Sequence, residues 1–132
     1  MNKIETLKQS LEIVAGDADS QLSYLNQIGH IDKNSDELLS YHADEIVLQL
    51  IDDKDYIIQY LQNAGLVSKK FFDNYSELKI LCGIFLNRPN DEFWTVKSLI
   101  SDSRWEEIRK IAKICVDEMP KYIVGDHSPL AT

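Results

Sequence analysis

The sequence predicts an all-α fold: a compact single-domain array of about six to seven short helices around a central apolar helix at about 69–86. Two observations carry that prediction. Apolar residues recur at three- and four-residue steps along most of the chain, while the two-residue alternation of a half-buried strand survives in no useful window. Glycines, prolines and capping residues then cut these stripes into short segments, none of which keeps a heptad long enough for a coiled coil. The 132 residues suit one domain, placed at 1–123, with a polar, Pro-containing tail without periodicity at 124–132.

Each element has a local reason. Asn2 and Glu5 form a capping box, after which Ile4, Leu7, Leu11 and Val14 keep helical spacing until Gly16. Asp17 or Asp19 can cap a second helix with the stripe Leu22, Leu25 and Ile28, which Gly29 ends where a left-handed residue is needed. After a polar turn at 30–34, Asn34 or Ser35 caps a third helix, whose first turn places Asp36 and Glu37 at the positive end of the helix dipole. Run on unbroken, that helix would bury Asp53 between Leu50 and Ile57. A lone buried carboxylate is costly. The helix should therefore break near Asp52 and Asp53, one of which caps a separate helix at about 54–64, closed by Gly65. The short link 65–68 ends in the cap residue Ser68 and turns the next helix back antiparallel.

The helix at 69–86 aligns Phe71, Tyr75, Leu78, Leu81, Cys82 and Phe85 on one arc, with Phe72, Ile80 and Ile84 well off it. Apolar residues most of the way round predict packing on more than one side, hence the central place in the array. Asn87-Arg88-Pro89-Asn90 breaks the chain. Trp94 precedes a Thr95 cap and should staple onto Leu99, so the aromatic loop cluster Phe93 and Trp94, beside Asp91 and Glu92, reads as an anchor rather than a ligand site. Ser103 with Glu106 is a second capping box, opening a helix to about residue 119 with Trp105, Ile108, Ala112, Cys115 and Met119 on one face; Pro120 limits it.

Charge narrows the function. With 22 acidic against 14 basic side chains the net charge is −8, which disfavours nucleic acid and anionic membranes and favours a basic protein partner. No apolar run of signal-peptide or membrane-span type is present, so a cytoplasmic address is expected. Cys82 and Cys115 lie on apolar stripes and are expected to be reduced and buried.

The stretch 35–65 concentrates the acidity. Leu39, Ala43, Ile46, Leu50, Ile57 and Leu61 fall within an arc of about 60° on a continuous helix. The far side is mixed. It carries Glu37, Tyr41, Asp44, Glu45, Leu48, Asp52 and Asp55, and from residue 32 to residue 55 eight acids face two lysines, a local charge of −6. These seven residues form the predicted partner-binding face: the carboxylates attract a basic partner at a distance, and Tyr41 and Leu48 supply the desolvated centre. The competing reading covers Tyr41, Leu48 and Ile51 with the N-terminal helices.

Catalytic and metal chemistry finds little support. His42 and Glu45 are three apart and could share a metal, but a di-metal carboxylate bundle needs a matching Glu-x-x-His elsewhere, and none exists. Asp52, Asp53 and Asp55 lack the glycine and closing glutamate of a calcium loop. Asp52-x-x-Asp55 could be half of the acidic magnesium motif of all-α nucleotide pyrophosphatases, but the upstream Glu-x-x-Glu is missing. No serine sits in a Gly-flanked elbow. No cofactor and no catalytic residue is expected.

From the Asp52 segment through Leu66 to Trp94, Trp105 and Ile108, the chain resembles small acidic all-helical bacterial proteins, among them immunity proteins of contact-dependent and other polymorphic toxin systems. The likeness is one of size, charge and pattern over about two thirds of the chain. It implies a cytoplasmic protein that neutralises one cognate toxin domain, often a basic nuclease, by blocking its substrate site. A metal-dependent hydrolase using Asp52 and Asp55, and a regulatory adaptor, are the alternative readings.

Overall fold

A computed structural model describes residues 3–29, 42–88 and 91–119, and among these every regular element is helical. The order is α1 (Lys3–Ala15), α2 (Ala18–Gln27), α3 (Asp44–Ile51), α4 (Asp55–Asn63), α5 (Lys69–Leu86), a single 3-10 turn (Glu92–Trp94), α6 (Val96–Ser101) and α7 (Ser103–Asp117). The expected Asn2 cap, the turn at 30–34, the segment 35–41 and the tail at 124–132 lie outside the described residues.

Most boundaries follow local chemistry. Asp17 caps α2 by accepting from the Ser20 N–H at 2.8 Å, and Ser68 caps α5 by accepting from the Phe71 N–H at 3.0 Å. Thr95 caps α6 as expected. The break near Asp52 is present, but neither aspartate caps the next helix. Asp52 is the C-cap of α3, and Lys54 holds the N-cap position of α4 with no side-chain bond. Gly65, at φ +70°, ends the segment in the left-handed conformation that a side chain resists. The second capping box is displaced by one residue: Asp102, as good a cap as serine, takes the N-cap position of α7 one residue before Ser103 and accepts from the Arg104 N–H at 2.9 Å.

The core forms where three stripes meet. Leu7, Leu11 and Val14 of α1 and Phe71, Tyr75, Leu78, Cys82 and Phe85 of α5 are buried, as are Trp105, Ile108, Ala112 and Cys115 of α7. Helix α7 packs against both α1 and α5, and α3 crosses α1. The stripe of α5 is where the sequence places it, and off that stripe Phe72 packs against the core, but Ile80 is 68% exposed and Ile84 50%. Helix α1, which meets α2, α3, α4 and α7, holds the more central place. Both cysteines are free and buried, and burial pushes each thiol up to about 12, so neither is a thiolate at neutral pH.

Helix α2 also departs from its expected stripe. Leu25 is buried, but its companion is Gln21, 1% exposed, while Ile28 is exposed. The physical reason is a polar clamp. The Gln21 amide donates to the Val14 carbonyl at 3.1 Å, and its oxygen accepts from Arg109 Nε and Nη2 at 3.1 and 2.8 Å. Arg109 Nη2 also donates to the Leu99 carbonyl at 2.6 Å, and Nη1 pairs with Glu106. One buried guanidinium thereby ties α1, α2, α6 and α7 together with its donors satisfied.

Candidate functional site

The predicted partner face divides into three groups. Glu37 and Tyr41 lie outside the described residues. Asp44, Glu45 and Leu48 lie on α3, each half-buried, and Asp52 is exposed at its C-cap. Asp55, in the first turn of α4, is engaged elsewhere. It accepts from Tyr75 Oη at 2.5 Å and from Lys79 Nζ at 3.0 Å, both on α5. Partial burial works to raise its pKa, but the Tyr75 and Lys79 hydrogen bonds outweigh burial and hold the carboxyl below its usual range. Burial first, and then the Asp55 hydrogen bond, raise the Tyr75 phenol. These contacts tie the start of α4 to the middle of α5, but the expected antiparallel packing of the two helices is not seen: they meet at this tether and do not run closely side by side. The contacts make Asp55 a tether between helices.

Helix α3 is less open than a fully solvated face. Ala43, Ile46, Val47 and Leu50 are buried, a wider arc than the expected stripe because Val47 joins it. Helices α1 and α2 flank it, and the Gln49 amide donates to the Ser10 carbonyl of α1 at 3.0 Å. The expected cover by the N-terminal helices is therefore partial: Ile51 packs on the core, while Asp44, Glu45 and Leu48 keep part of their surface. Burial, and secondarily the Glu45 charge, raise the Asp44 carboxyl above its ordinary value. His42, half-buried just before α3, contributes a weaker opposing attraction.

A further member of this surface is absent from the expected face. Tyr24 of α2 is partly buried, and its phenol is pushed up by burial first and then by the charges of Glu45 and Asp53. Helix α2 meets α3, and Tyr24 lies within electrostatic reach of carboxylates at both ends of that helix. The same ring lines a groove of about 640 Å³ between α1 and α2, with Gln9, Glu12, Asp19, Ser23 and Gln27 around it. The only hint in the sequence is position: Tyr24 stands three residues after Gln21 and beside Leu25, at the edge of the buried stripe. Asp44, Glu45, Asp52 and Asp53 have no ion-pair partner among the described residues.

Among the described residues no three His, Cys, Asp or Glu side chains come close enough to hold a metal ion. Asp52 and Asp55 are not presented as a pair, since Asp55 is committed to α5. Phe93 and Trp94 are fully buried, as the anchor reading expects. Phe93 stacks between Phe85 and Trp105 at 4.5 and 4.9 Å, and Trp94 Nε1 donates to the Phe85 carbonyl at 2.7 Å. No helix among the described residues is long and apolar enough to cross a membrane. No family model, curated protein or solved structure matches the chain.

Proposed function

We propose that this chain is a protein-binding module that neutralises a basic partner, in the manner of the immunity proteins it resembles, through the acidic surface where α2 meets α3. The observation that carries the reading is the set of carboxylates Asp44, Glu45, Asp52 and Asp53, which have no ion-pair partner among the described residues and stand near the half-exposed Leu48 and the ring of Tyr24. Leaving like charges together costs stability, and a basic partner relieves that repulsion on binding. The apolar members supply contact that can be desolvated, while the carboxylates steer the approach.

The test starts from the gene's neighbourhood. A basic toxin domain encoded next to this chain, produced as an inactive variant, should bind it one to one in titration calorimetry, with an on-rate that falls as salt rises. The expected result is a complex that also blocks the active toxin. A neighbouring toxin domain that neither binds nor is inhibited would overturn the immunity reading.

A further inference from the structure

We infer that the outward face of α5 is a self-association surface on which a second copy of this chain packs antiparallel. The face is opposite the buried stripe of Phe71, Tyr75, Leu78, Cys82 and Phe85. Along it Asp73, Glu77, Ile80, Ile84 and Asn87 follow one another in alternating four- and three-residue steps, all exposed. That is the seam spacing of two helices packed side by side. Ile80 and Ile84, the two most apolar members, sit at its middle and are 68% and 50% exposed.

Charge selects the occupant and its direction. Glu77 lies one turn before Ile80, and Arg88 lies one turn beyond Ile84; neither has an ion-pair partner among the described residues. In a parallel pair like charges would meet at both ends. In an antiparallel pair Glu77 of each copy meets Arg88 of the other, and Ile80 of each meets Ile84 of the other. The patch is thus complementary to itself, the condition for a two-fold interface. Gly83, beside the seam, points the same way. A Cβ built there would meet nothing within 4 Å among the described residues, so the space beside it is open to a second helix about 8–10 Å away. A single-helix seam buries less than the roughly 800 Å² per partner of a standard interface, which places the dimer in the weak, concentration-dependent class.

Sedimentation equilibrium of the full chain from about 1 μM to about 1 mM spans that class. The expected result is a reversible monomer–dimer equilibrium. Ile84→Glu should raise the dissociation constant about tenfold or more, since it places a charge in an apolar seam. Glu77→Arg and Arg88→Glu should each weaken the dimer, and the two together should restore it to within about threefold of the parent, because the swap rebuilds the pair with reversed sign. Circular dichroism checks each fold; should Ile84→Glu unfold, the charge-swap set decides alone. A monomer throughout the range, a dimer indifferent to these changes, or a double swap that fails to restore it would each overturn the proposal.

Discussion

The corner where α6 meets α7 and the side where α2 meets α3 treat polar groups in opposite ways. At the corner, Trp94 and Trp105 are fully buried and their indole N–H groups are partnered, the latter donating to Ser98 Oγ at 3.0 Å. Arg109 meets Gln21, Glu106 and the Leu99 carbonyl, and Arg104 lies over the Phe85 and Phe93 rings at 4.8 and 4.9 Å while pairing with Asp102. On the adjoining acidic side, Asp44, Glu45, Asp52 and Asp53 have no such partners among the described residues. The difference teaches where to look for function. Satisfied networks hold a fold together, whereas like charges left together are a cost that folding alone does not explain.

The largest expected effect lies at the corner. Trp105→Ala removes a fully buried ring that stacks on Phe93 and also leaves Ser98 Oγ without its donor. It should cost about 3–5 kcal/mol in chemical denaturation. A loss under about 1 kcal/mol would show that the corner is not the rigid half of the molecule, and the contrast with the acidic side would fail.

Between the two regions stands Asp55, predicted for the binding face but tied to Tyr75 and Lys79. Asp55→Asn should lower stability by about 1–2 kcal/mol at neutral pH, since it weakens hydrogen bonds to a charged acceptor. The sign of the pH dependence follows from its lowered pKa. A carboxyl held below the ordinary value of 3.8 contributes stability above that value and loses it as pH falls through the folded one. Parent and variant should therefore differ at pH 7 and converge under strong acid. A constant gap across the acid range would mean that the tether acts by packing and not by charge.

How much of this contrast the sequence discloses depends on the range of the interaction. Stripes and caps are local, so α1, the break after α3, the Ser68 and Thr95 caps and the buried face of α7 are all legible. The clamp of Arg109 on Gln21 is not, because its partners lie 88 residues apart and each reads alone as an ordinary polar surface residue. The same limit hides the Asp55 tether, whose partners stand 20 and 24 residues away. Apolar content misleads at Ile80 and Ile84, where it suggests burial and the structure shows exposure. Charge is legible as a sum, but which carboxylates remain unpaired is a tertiary fact.

The smallest effect on stability should come from the acidic side, and there the functional consequence should be greatest. Asp44→Asn, Glu45→Gln and Asp52→Asn together remove three negative charges with little change of shape. Burial and the Glu45 charge already raise the Asp44 carboxyl, so its ionised form is disfavoured in the fold, and any stability it adds is present at low pH and lost as pH rises through the folded value. Neutralising it with its neighbours should hold stability within about 0.5 kcal/mol of the parent, or raise it slightly. Against the basic partner, the same triple variant should lower the on-rate and flatten its dependence on salt, because steering acts before contact. Leu48→Ala should instead raise the off-rate, since an apolar contact holds a complex after it has formed. Asp55→Asn, whose carboxylate faces α5, should leave the on-rate close to that of the parent. Stopped-flow association at two ionic strengths measures all three. If Asp55→Asn slows association as much as the triple variant does, the partner contacts the α4 side, and the unpaired carboxylates of α3 are ordinary solvated surface.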